Sequence, residues 1–293
     1  MRNFIWSGEV DKRKLVSVAW KKVCRPFSQG GLNLRSIKTL NISANLNLLW
    51  KMLHSDDDWA ILLKSRTLRM HKPIQYHIYS SLWSSIKEEI NSLHNNSIWL
   101  LGTGDNINFW NDSWCGAPLS QALNIPPHIS SLLVSKVSDY IIDGEWAIPE
   151  ALEQMFPILR ILIQQATIPL NPEDDQLLWK HTTNGDLDLK QAYSFKLHHS
   201  EELQWTKLIW NPDIPPSKSL MVWRLMLNKI PTDDNLMIRG CQLASVCNLC
   251  LQNTESSMHL FFSCPYVIKL WSWLPSTLNM VFQFNSIDDI WKI

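Results

Sequence analysis

Three cysteines and one histidine near the C-terminal end constrain this chain more than any other feature. They run Cys247-Asn-Leu-Cys250, then His259 and Cys264, the pattern C-x2-C-x8-H-x4-C. Two intervening residues let a single tight turn aim the first two thiolates at one point, and the later His and Cys complete a donor set suited to tetrahedral zinc. Four ligands close the coordination sphere, so the spacing predicts one structural zinc with no open position for a substrate or an activated water. The competing explanation is burial of cysteines as small hydrophobes. It requires four correctly typed ligands to fall at workable intervals by coincidence.

The flanks of these ligands carry a resemblance. Glu255-Ser-Ser-Met-His259-Leu-Phe-Phe-Ser-Cys264, with Trp271 beyond, is preceded in order by Trp205-Thr-Lys-Leu-Ile-Trp210, Pro215-Pro-Ser-Lys218, Trp223-Arg-Leu225 and Leu227-Asn-Lys-Ile-Pro-Thr232. The ordered set resembles the zinc-binding module at the C-terminal end of plant LINE-type (non-LTR) retrotransposon reverse transcriptases. Trp20-Lys-Lys-Val-Cys-Arg-Pro26 with Gly30-Gly31-Leu32-Asn33-Leu34-Arg35 resembles the segment that follows the polymerase thumb in that family. Trp110-Asn-Asp112-Ser-Trp114 looks like the family's short W-x-D-x-W element, expected to pin a neighbouring hairpin to helices. The resemblance implies a C-terminal fragment of a retroelement reading frame, with the rest of the polymerase as a possible partner and RNA template or target DNA as ligand.

The charge pattern bears on that ligand. Formal net charge is zero over 293 residues, but residues 1–75 hold 14 Lys and Arg against 5 Asp and Glu. The N-terminal quarter is thus the part suited to a polyanion. Lys12, Arg13, Lys14, Lys21, Lys22, Arg25, Arg35 and Lys38 are the candidate phosphate contacts. Such contacts give affinity that falls with salt and carries little sequence preference. An ordinary solvated charged face is the competing reading.

Sixteen tryptophans invite a base-stacking role. Most stand in apolar patterns, which favours their use as core anchors. Cys24, Cys115 and Cys241 lie outside the metal set, an odd partition for disulfides. With no secretory signal this implies a reducing, intracellular compartment, nuclear if the family role holds. No run approaches the ~18 apolar residues of a membrane helix.

Periodicity predicts a mainly α fold with two small β-hairpins, an irregular α+β multi-module chain ending in a zinc-knuckle-like module. A short helix ends at Pro26, and Gly30-Gly31 permits a turn. A long amphipathic helix over 32–53 turns Leu34, Ile37, Leu40, Ala44, Leu48 and Leu49 inward. Hairpins are expected at 97–110, around Gly102-Thr-Gly104, and at 176–189, around Asn184-Gly185. Trp146 to Gln165 has helical spacing, and Leu236, Ile238 and Leu270 are expected to pack inward. The segments read as 1–75, basic and helical; 76–115, helix plus hairpin; 116–172, a proline-containing linker and helix; 173–280, the zinc-binding module; and 281–293, a tail.

Catalytic chemistry is not expected. A reverse transcriptase needs paired carboxylates for two divalent metals, displayed as aromatic-x-Asp-Asp. The Asp-Asp pairs beginning at Asp57, Asp174, Asp233 and Asp288 have no Tyr or Phe two residues before them. The Gly102-x-Gly104 turn has no Gly-Lys-Ser/Thr and so is not a phosphate loop. His199-Ser-Glu201 followed by Cys247-Asn-Leu-Cys250 imitates a zinc deaminase, but Val246 replaces the proline and His259 and Cys264 would have no task. The remaining alternative is a zinc-stapled helical module for protein interaction.

Overall fold

The computed structural model describes residues 9, 11, 16–69, 72–74, 78–171, 173–197 and 201–279. The chain divides into two compact units, Ile37–Leu197 and the pair of segments Met1–Ser36 with His198–Ile293.

In the Ile37–Leu197 unit, helix Ile37–His54 is free of glycine and proline and supplies Leu46, Leu49, Trp50 and Met52 to the core. Ile37, expected inside, is 69% exposed. The phase of the helix is set by Trp50, whose ring meets Trp179 edge-on at 6.2 Å. It is set also by Asn47, whose side-chain amide donates to the Leu187 carbonyl at 2.8 Å. Helix Leu189–Lys196 packs alongside and opens with a capping box, Asp188 and Gln191 each satisfying the other's backbone N–H.

The two expected hairpins are corrected. Strand Ser97–Leu100 pairs antiparallel with strand Gln176–Trp179, Ser97 opposite Trp179 and Leu100 opposite Gln176. Asp175 explains the exchange. Its carboxylate accepts the backbone N–H groups of Gly102, Gly104 and Asn106, each at 2.9 Å. A Cβ at Gly102 would stand 2.1 Å from the Glu173 carbonyl oxygen, so only glycine lets the two backbones approach this closely. The turn therefore closes onto the residue just before the distant strand, and the segment after it forms no second strand of a local hairpin.

That following segment builds a second core instead. Asn108 accepts the N–H groups of Trp110 and Asn111 at 3.1 and 2.8 Å, coiling the chain so that Phe109, Trp110 and Trp114 all bury. Trp114 donates its indole N–H to the Phe109 carbonyl and Trp110 to the Ser135 hydroxyl, both at 2.9 Å. The proline-containing stretch after it contributes Leu119 and Val137 to the same core. The helical run expected over 146–165 is broken into Glu150–Met155 and Leu159–Ile163, because Pro157 has no N–H to donate and restricts Phe156. Short two-stranded pairs at Leu68–Arg69 with Lys72–Pro73 and at Ile141–Ile142 with Glu145–Trp146 complete the sheet content, so the described residues are mainly helical.

In the other unit, the N-terminal segment folds with the C-terminal one. Gly30 adopts φ 76°, and a Cβ at Gly31 would lie 1.9 Å from the Arg25 carbonyl oxygen. The close approach lets Leu32 and Asn33 donate to the Val23 and Arg25 carbonyls, each at 2.9 Å. Trp223, fully buried on helix Pro216–Met226, donates its indole N–H to the Gly30 carbonyl at 2.9 Å. Val18, Val23 and Ile209 join it in a small core. Helix Gln204–Ile209 and helix Pro216–Met226 are separated by a stretch containing Pro212 and Pro215, and Pro216 opens the second helix.

Candidate metal centre

Each of the four donors is presented by a different piece of local backbone. The first turn begins at Cys247, whose N–H donates to the Asn253 carbonyl at 2.7 Å while Leu251 donates back to the Cys247 carbonyl at 2.8 Å. Leu251 takes the left-handed conformation, φ 57°, to close this loop. Cys250 lies inside the loop, and the N–H groups of Gln252 and Asn253 bond to its sulfur.

The second half is built on a π-turn, His259–Ser263. Ser256 starts it by accepting the His259 N–H at 3.1 Å, and the Cys264 N–H reaches back to the His259 carbonyl at 2.8 Å. That wider turn is what a four-residue interval needs to bring His259 and Cys264 to one side. Cys264 is also the N-cap of helix Pro265–Leu278, and the N–H groups of Tyr266 and Val267, which have no partner within the helix, bond to its sulfur. Both Cys250 and Cys264 thus receive the amides two and three residues on.

The donor atoms of Cys247, Cys250, His259 and Cys264 all lie within 4.8 Å of one another. One ion bound at roughly 2.0–2.3 Å from each donor calls for such crowding. Cys247, His259 and Cys264 are buried and Cys250 is half-buried. The His259 Nε2 stands 3.3 Å from the Cys250 sulfur, and Nδ1 faces the Ser263 hydroxyl at 3.5 Å. The arrangement leaves Nε2 as the ligand atom and Nδ1 as the hydrogen-bonding side, the usual division for a ligating imidazole.

Electrostatics fit a cation. The Cys250 thiol is lowered to about 6, first by the Gln252 N–H, with Asn253, His259 and Cys247 adding to it. Burial pushes the Cys264 thiol up, helped by the neighbouring sulfurs and opposed by the two helix amides. Crowded thiolates in a buried place repel one another, and a divalent cation removes that repulsion. By contrast the Cys115 thiol, outside the cluster, is pushed up to about 11 by burial, against a smaller opposing hydrogen bond from its own backbone, and is a packing group.

Behind the ligands lies a polar network that sequence reading missed. Thr232 donates to the Asp234 carboxylate, and Asn235 donates to the Ile230 carbonyl at 3.0 Å and to Thr232 at 3.2 Å. Thr232 and Ser257 hydroxyls approach at 3.4 Å, joining the Leu227-to-Thr232 motif to the turn that carries His259. Thr232 is the N-cap residue of helix Asp233–Met237, but its hydroxyl is spent on this network. Ile238 is 82% exposed, contrary to expectation, because the helix ends at Met237 before a further turn could bury it. Leu270 is exposed as well, while Trp271 turns inward and donates to the Phe261 carbonyl at 2.7 Å.

The basic candidates are only partly gathered. Lys21 and Lys22 are exposed on helix Trp20–Val23, Arg25 is half-buried and Arg35 exposed, all in the unit that holds the metal centre. Lys38 is exposed on the first turn of helix Ile37–His54, in the other unit. Lys12, Arg13 and Lys14 lie outside the described residues, as do His199 and Ser200 of the deaminase pattern. That pattern fails on geometry in any case, since His259 and Cys264 complete the sphere where a deaminase needs an open position. The tryptophans serve the cores: among the described residues, Trp59 and Trp273 are the exposed ones.

Comparison with known proteins agrees with this geometry. Residues 188–271 match the family model described as zinc-binding in reverse transcriptase. Over 294 aligned residues the chain is 24% identical to an Arabidopsis thaliana protein named "Putative ribonuclease H protein", covering 92% of this chain and 46% of the relative. The chain thus spans less than half the length of that relative. Together the two likenesses support a retrotransposon-type chain whose cofactor is one structural zinc, and the Cys247, Cys250, His259 and Cys264 cluster fits it.

Proposed function

We propose that the chain is the non-catalytic, nucleic-acid-binding C-terminal part of a plant LINE-type (non-LTR) retrotransposon reverse transcriptase, acting in the nucleus to help hold RNA template or target DNA. The observation that carries the reading is a closed four-donor centre inside the segment that matches a reverse transcriptase zinc-binding family. When bound, zinc cross-links the Cys247 turn to the π-turn and the helix behind it. The chain's own residues then present the surrounding surface in fixed geometry.

The relative's name speaks of ribonuclease H, so the acidic pairs need an account. Asp57 stands at the N-cap of helix Asp58–Thr67, its carboxyl held below the ordinary range by hydrogen bonds with Ser55 and Trp59. Asp175 spends both oxygens on backbone amides, and Asp233 and Asp234 open a short helix beside the metal centre. The pair at 288–289 lies outside the described residues. The carboxylates of Asp57, Asp175 and Asp234 have structural partners where they stand, which supports a non-enzymatic role for this chain. No helix among the described residues is long and apolar enough to cross a membrane.

A titration of labelled RNA and single-stranded DNA with the zinc-loaded chain at two salt concentrations tests the reading. The expected result is sequence-tolerant binding that weakens as salt rises. No affinity at low salt overturns it in favour of a protein-interaction module, and turnover of a nucleic acid by the chain alone overturns the non-catalytic assignment.

A further inference from the structure

Helix Pro265–Leu278 is held at its start by Cys264 and along one side by Trp271, yet its outward side is apolar and aromatic. Tyr266, Leu270 and Trp273 follow at intervals of four and three, with Lys269 on the same side. At 3.6 residues per turn these positions form a single stripe two turns long. Tyr266 is 62% and Trp273 57% exposed. The exposure of Trp273 is unlike the rest, because the described tryptophans are otherwise buried or half-buried except Trp59, whose indole N–H is taken by Asp57.

Resting on the nucleic-acid reading above, we propose that this face, Tyr266, Lys269 and Trp273, is a stacking platform for single-stranded nucleic acid. Two rings spaced by about 10 Å along the axis offer flat surfaces to unpaired bases, and Leu270 between them supplies an apolar floor. The charge suits a polyanion: helix Pro265–Leu278 contains no acidic residue, and Lys269 lies on the stripe to meet a phosphate. Stacking on exposed rings is sequence-tolerant because every base has a π-face. Because Cys264 caps the helix, zinc fixes the platform's direction as well as the knuckle's fold.

The test uses the full zinc-loaded chain and a labelled single-stranded oligouridylate, with Tyr266→Ala, Trp273→Ala, Lys269→Ala and the ring-conserving Tyr266→Phe and Trp273→Phe. Each alanine at a ring position is expected to weaken binding ~5- to 150-fold without changing the salt slope, and each phenylalanine to keep most of the affinity. Lys269→Ala is expected to reduce the salt slope by roughly 0.7. Photo-crosslinking of the unaltered chain to a thiouridine-containing strand, read by mass spectrometry, should place crosslinks within residues 265–278, independently of how any variant folds. Wild-type affinity in the alanine variants, with crosslinks elsewhere, overturns the platform and leaves the broader reading standing on the basic residues. A wild-type chain that binds no strand at all overturns both. Self-association abolished by the ring substitutions, with strand affinity unchanged, assigns the face to a second copy of the chain and overturns the platform.

Discussion

The two units hold themselves together by different means. Ile37–Leu197 has two aromatic-rich cores, one around Trp50, Trp83 and Trp179 and one around Phe109, Trp110 and Trp114. The unit bearing the metal centre has a smaller core, Val18, Val23, Ile209 and Trp223, and none of these lies within residues 240–275. There Val246, Leu249, Leu251 and Met258 are exposed while three of the four ligands are buried. Apolar burial does for one unit what ligation does for this part of the other. A small segment whose apolar burial beyond the ligands comes down to Phe262 stacked on Trp271 needs a staple.

The largest effect that could break this contrast is loss of a ligand. Cys250→Ser should abolish tight zinc binding and unfold roughly residues 240–275, since ligation by knuckles of this size is worth ~10–16 kcal/mol in apparent free energy. The Ile37–Leu197 transition should survive in the same melt. Zinc content and a two-transition thermal scan measure both at once, and a variant that keeps its zinc and melts unchanged breaks the contrast outright.

Acid should separate the units in the same direction. The Cys250 thiol lies at about 6, below its ordinary 9.0, because backbone amides and its neighbours favour the thiolate. A depressed group contributes fully above its unfolded value and loses that contribution as pH falls through its folded value. Because the same thiolate is a zinc donor, retention of zinc and of the metal-site fold should weaken as pH falls from 9 through 6. Cys264, raised by burial, opposes this trend. A competing chelator followed across pH measures it, and zinc held equally well on both sides of this window contradicts it.

The reverse experiment targets the apolar unit. Trp179→Ala removes a fully buried indole that touches Trp50 and Phe195, and should cost ~3–5 kcal/mol with zinc content unchanged. Asp175→Ala is the smaller perturbation. It strips three backbone N–H groups of their charged acceptor and should cost about 1.5–3 kcal/mol. Denaturant midpoints resolve both, and a chain indifferent to Asp175 would mean that water replaces the carboxylate without loss.

These residues also mark how far the sequence could be read. The ligands were legible because their geometry is local: a two-residue interval and a four-residue interval within one short segment already define the donor set. A helix stopped by a proline, such as Trp20–Val23 before Pro26, was legible for the same reason. Strand pairing was not. Residues 97–100 and 176–179 each have a glycine-containing turn nearby that suggests a hairpin, yet they pair with one another across the chain. The deciding group, Asp175, acts at a distance of some seventy residues and has no local signature. The phase of helix Ile37–His54 and the exposure of Ile238 and Leu270 depend in the same way on what stands beside them, which periodicity along one segment does not contain. Nor could spacing show that Lys38 and Lys21 belong to different units.

Hydrogen exchange of the full chain before and after chelation tests the central claim most directly, because it reads both units in one sample. Removing zinc should erase protection across residues 240–275, including the Cys264 and Ile268 amides bonded to His259 and Cys264, while the amides of strand Gln176–Trp179 keep theirs. Protection in 240–275 that survives chelation, or that collapses equally in both units, would contradict it.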